Sequence, residues 1–171
     1  IKRSCESLSK AECAATVALM ALESVELKYK HNVYPGRPGQ GTANMMMFEV
    51  RLPEDPWCLN TPQDFVFPGN FLLIPILSTP QFVLEYATDL FGAKQVQGKS
   101  PNEVLAMVMP DKFNFGSAAW FLKKKCTADV RASLRTGTDD GWMAYNGCVG
   151  VDGANEERMT YWLRAKTAFG I

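Results

Sequence analysis

The stretch SKAECAATVALMALES, residues 9–24, decides the fold class. Ser9 followed three places on by Glu12 is the pattern of a capping box, in which side chains and backbone satisfy the free N–H groups of a helix start. Val17, Leu19, Met20 and Leu22 supply apolar positions behind it, so the stretch predicts a helix. It closes on an acid: Glu23 follows Leu22 directly, and Ser24 follows the acid.

Outward from this helix the pattern changes and then returns. From His31 to Thr79 prolines and glycines interrupt short extended pieces such as MMMFEVRL (45–52) and FLLIPIL (71–77), the signature of a loop-rich or small-sheet insertion. After it, helix signals run to the C-terminus. Thr79-Pro80 opens one helix that stops at Gly92, and Ser100-Pro101 opens another, with Glu103 completing a capping box and Pro110 as the stop. NFGSAAWFLKKK (114–125) has helical spacing, and Thr127, Thr138 and Asn155 are candidate N-caps for three more helices. The fold expected is mainly α, of α+β type, with a helical lobe and one irregular insertion, as a single domain over residues 1–171.

Composition narrows the function. Eighteen basic residues balance eighteen acidic ones in 171, so no global field draws the chain to nucleic acid or an anionic membrane. The one basic run, Lys123-Lys124-Lys125, reads as a solvated helix end. The longest apolar stretch, residues 71–77, is too short to span a bilayer and is broken by Pro75. Five cysteines lack the spacing of a zinc site, and the single histidine, His31, reads as a turn residue, so no zinc site is expected. Two disulfides with one cysteine left over fit best, with Cys126–Cys148 as the candidate pair; buried thiols in a reducing compartment are the other reading. Disulfides point to a secreted chain, and a first residue that is not Met suggests a processed N-terminus.

A carboxyl at a buried helix end loses solvation and holds its proton more tightly, which suits it to general acid catalysis. Glu23 facing solvent and pairing with Lys28 or Lys30 is the plainer alternative. Three further blocks follow Glu23 in order: GTANMM (41–46), AYNG (144–147) and YWLRAK (161–166), with NFGSAAWFL (114–122) between them. Together with ALES (21–24) this set resembles the lysozyme-like superfamily, in particular lytic transglycosylases and goose-type lysozymes. Val25 stands where that family has Gly, and Asn44 where it has Gln.

The resemblance implies a secreted glycoside hydrolase or lytic transglycosylase, a muramidase-like enzyme needing no metal or organic cofactor and acting on an N-acetylhexosamine polymer, peptidoglycan first and chitin next. Glu23 would be the general acid/base, with Tyr145 orienting it from an opposite helix. Ser24, Asn44, Asn146, Tyr34 and Trp142 would bind substrate. A second carboxylate, where one is needed, would come from Glu49, Asp55 or Asp64. Other readings of the same residues are a half-buried Tyr145, Asn44 as a turn residue and Asn146 as a helix C-cap. Trp120, Trp162 and Met45-Met46-Met47 read as core. The partner expected is polysaccharide, met by a monomer; the alternative is a non-catalytic glycan-binding or inhibitory protein on the same fold.

Overall fold

A computed structural model describes residues 5, 7–31, 39–44, 46 and 82–171. Among them the secondary structure is helical: α1 (Lys10–Glu23), α2 (Phe82–Phe91), α3 (Ala93–Val96), α4 (Pro101–Val108), α5 (Asp111–Asn114), α6 (Ser117–Lys124), α7 (Ala128–Arg135), α8 (Asp139–Val149) and α9 (Glu156–Phe169). The mainly α expectation holds. The described part of the insertion contains only isolated bridges, His31 with Gly41 and Gly41 with Met46. The rest of the insertion, with Tyr34, Glu49, Asp55 and Asp64, lies outside the described residues.

The helices begin where the sequence places caps. Ser9 Oγ accepts from Glu12 N at 3.2 Å while Ser9 N donates to Glu12 Oε2 at 2.8 Å. Ser100 and Glu103 repeat the box at α4, and Thr127, Thr138 and Asn155 cap α7, α8 and α9. These ends form for a local reason: the first N–H groups of a helix have no partner in the helix itself, and a short oxygen-bearing side chain supplies one. The expected cap of α2 at Thr79 lies outside the described residues.

Packing centres on α1. Its inner side is small (Ala11, Ala14, Ala15 and Ala18 are all buried), so a neighbouring helix can approach closely. That neighbour is chiefly α9. The two run antiparallel: Lys10 Nζ reaches Gly170 O at 3.2 Å at one end, and Arg158 reaches Glu23 at the other. Trp142 of α8 and Trp162 of α9 stack with ring planes 1° apart and centroids at 5.4 Å. α7 and α8 pack backbone to backbone at Gly141, where an added Cβ would meet Ser133 O at 2.4 Å.

Two disulfides brace the frame. Cys126–Cys148 ties the start of α7 to the end of α8, as expected, and Cys5–Cys13 ties the N-terminal segment to α1. Among the described residues no helix is long and apolar enough to cross a membrane. The Lys123-Lys124-Lys125 run is not simply solvated. Lys124 and Lys125 pair with Asp89 and Glu85 of α2, and Lys123 donates to Ser7.

Candidate functional site

The expected site begins at the end of α1, and there the geometry departs from expectation. Glu23 accepts from Arg158 Nη2 at 2.8 Å, with about a quarter of its side chain exposed. Its partner is therefore α9, neither Tyr145 nor Lys28 nor Lys30. Lys30 pairs instead with Asp111.

Tyr145 lies wholly inside the core, edge-on to Trp142 with centroids 6.3 Å apart, and its hydroxyl has no hydrogen-bond partner among the described residues. Burial pushes its phenol well above the ordinary range. It does not orient Glu23, which corrects the pairing expected from the resemblance. The cause is helical phase: residues 142, 145 and 146 share the inward side of α8.

Trp142 is corrected for the same reason. It is fully buried, donates from Nε1 to Gly153 O at 3.1 Å and stacks on Trp162, so no ligand face is open. Trp162 is core as expected; Trp120 is only half-buried, donating to Asp89 at 2.8 Å. Asn146 is also buried, donating from Nδ2 to Trp142 O at 2.9 Å, while Gly150 rather than Asn146 closes the helix in a left-handed conformation. Ser24 is buried with its hydroxyl donating to Met20 O. Neither Asn146 nor Ser24 reaches the surface as a substrate contact.

Asn44 alone of the described substrate-binding candidates remains half-exposed, and its setting was not visible in the sequence. Its Oδ1 accepts from Thr42 Oγ1 at 2.8 Å and from Ser117 Oγ at 2.6 Å. The turn that carries it is anchored from beneath by buried Asn114, whose Oδ1 accepts from Ala43 N at 2.8 Å and whose Nδ2 donates to Met109 O. Gly41 opens the turn because a side chain there would strike Leu105 at 2.7 Å and Lys30 O at 3.0 Å. Buried polar groups so satisfied fix one arrangement of a turn. Asn114 and Ser117 lie in NFGSAAWFL, but nothing in their spacing names Asn44 as the partner.

The same end of α1 holds a stretch of unusual backbone. Val25, Glu26 and Leu27 have φ of 51°, 58° and 63°, three consecutive left-handed residues without a glycine. Such a conformation costs about 1–2 kcal/mol per L-residue.

The strongest buried charge is elsewhere. Glu12, at 1% exposure, accepts from Arg131 Nε at 2.9 Å and Arg135 Nε at 3.2 Å. Burial pushes its carboxyl up, but the Ser9 N–H and the two arginines outweigh this and hold it below the usual range. Asp139 is held low in turn by Lys166 and by the Trp162 N–H. Among the described residues no group of three or more His, Cys, Asp or Glu lies together as metal ligands would.

No family model matches the chain, and no solved structure matches it. Over 167 residues, 95% of its length, the chain is 42% identical to a Fusarium oxysporum (strain Fo5176) protein named bifunctional dioxygenase (DOX)-epoxy alcohol synthase (EAS). The match covers 11% of that protein, so the chain spans about a tenth of the relative's length. This finding corrects the expected function. The relative's name belongs to oxygen chemistry, so the glycoside hydrolase, transglycosylase and cell-wall expectations fall.

Proposed function

We propose that this chain is a non-catalytic, disulfide-braced helical module that accompanies oxygenase domains of the dioxygenase–epoxy alcohol synthase kind, and that the chemistry resides outside it. The observation that carries the reading is the coverage: nearly all of the chain matches about a tenth of a bifunctional relative. A segment of that size is short for two enzymatic activities.

The residues present are consistent with this division. Joining ground-state dioxygen to an organic substrate calls for a group that passes single electrons, commonly a metal or an organic cofactor. The described residues do not fit a metal: His31 is the sole histidine of the chain, and Cys5, Cys13, Cys126 and Cys148 are in disulfides. Glu12, Glu23 and Asp139 are each held by cations of the chain itself. The order of the ALES, GTAN and AYNG blocks along α1, the 41–44 turn and α8 supports a framework shared with lysozyme-like proteins, kept here without their carbohydrate chemistry. The disulfides support folding in an oxidising compartment and secretion.

The test is titration of the purified chain with ferrous iron and, separately, with haem, while absorbance and oxygen uptake are followed. The reading expects neither one-to-one binding nor oxygen consumption. Stoichiometric binding of either group, with oxygen uptake, would overturn it.

A further inference from the structure

The described residues include four non-glycine positions with positive φ, and they fall in two segments: Val25–Leu27, and Thr42 at 70°. The segments meet. Leu27 packs on the small cluster of Met20, Ala43 and Ala118, and Ala43 is the neighbour of Thr42. Two residues on from Tyr29, His31 bridges to Gly41, and the Lys30 carbonyl lies against Gly41.

Left-handed runs of L-residues persist only where their surroundings hold them. Within the segment, Glu26 N donates to Ala21 O at 2.8 Å and Tyr29 N donates to Ser24 O at 2.9 Å. From outside it, Leu27 is held by packing and Glu26 by α9: Arg164 Nη1 donates to Glu26 Oε1 at 2.7 Å. A relaxed alternative is available, because Glu, Leu and Lys are all good helix formers and α1 could run on through residues 25–28. That extension would draw Leu27 away from Ala43.

We propose that the Glu26–Arg164 ion pair is a latch on this strained turn, and that opening the latch releases the Val25–Leu27 turn together with the Thr42–Asn44 turn seated beside it. The result is a two-position element at the end of α1 whose state decides whether Asn44 is presented in its present setting. Both latch side chains are more than half exposed, so they can be removed without opening the core.

Hydrogen exchange on the full chain tests the coupling. The reporters are the amides of Glu26 and Tyr29 in the first turn and of Gly41 and Ala43 in the second. Arg164→Met and Glu26→Ala should each lower protection at all four by about threefold to fivefold, the bias an exposed ion pair supplies, and leave α7 and α8 unchanged. Adding Val25→Gly to Arg164→Met should return the four toward wild-type protection, because glycine holds a positive φ without strain. The proposal fails if the reporters do not respond, if Glu26 and Tyr29 respond without Gly41 and Ala43, if α7 and α8 lose protection equally, or if the glycine restores nothing.

Discussion

Replacing Glu12 by Gln keeps the shape of a fully buried side chain and removes the charge that Arg131 and Arg135 share. The amide can still accept from Ser9 N, so the capping box largely survives and the lost quantity is the ion pair. Removing one member of a buried pair costs about 3–5 kcal/mol. Here Arg131 is only about four-fifths buried and Arg135 half-exposed, so water takes over part of their solvation. The expected loss is about 2–3 kcal/mol, near that of hydrogen bonds to a charged group. In a domain of this size that corresponds to a fall in Tm of roughly 5–10 °C.

The pH dependence follows from the direction of the shift. The folded carboxyl lies below its ordinary value of 4.5. Its contribution is therefore complete above that value and is lost as pH falls through the lower, folded one. Thermal unfolding of wild type and Glu12→Gln at pH 7, 4.5 and 3 reads this directly: the gap should be widest at pH 7 and should narrow toward pH 3. A gap of the same size at pH 7 and pH 3 would refute the reasoning, since it would trace the loss to shape instead of charge.

Replacing Cys126 and Cys148 together by Ala removes a link across 22 residues, worth about 3 kcal/mol by loop-closure entropy, and should lower the guanidinium midpoint without abolishing the helical circular dichroism. Two glycines of α8 should respond in opposite senses. Gly141→Ala drives a methyl into the Ser133 carbonyl and should cost about 1–3 kcal/mol, while Gly147→Ala, with open space beside it, should stabilise by roughly 0.5–1 kcal/mol; urea midpoints separate the two.

Local features of the fold were legible in the sequence because their causes are local. Ser9, Ser100, Thr127, Thr138 and Asn155 cap helices through atoms two or three residues away. The Cys126–Cys148 pairing was legible too, since the two bracket helical patterns that bring their ends together. What failed depended on distant partners. Glu12 meets arginines 119 and 123 positions downstream, and Glu23 meets Arg158 at 135. These two acids of one helix thus end in different surroundings.

The error at Tyr145 and Trp142 has a single origin. AYNG fixes a helix and its order in the chain, but not the rotation of that helix, and rotation decides whether a ring lines a groove or fills the core. The left-handed turn at Val25–Leu27 was equally hidden, because no glycine or asparagine marks it. At Asn44 the residue was found and its supports were missed: Asn114 and Ser117 reach it only through tertiary packing.

The division between framework and chemistry is tested most directly in the Fusarium relative itself, by deleting the 167-residue stretch that this chain matches and measuring dioxygenase turnover per folded molecule. The account predicts turnover close to that of the intact protein, with any loss confined to the yield of folded material. Turnover abolished in a variant that remains folded would place the chemistry inside this module and contradict it.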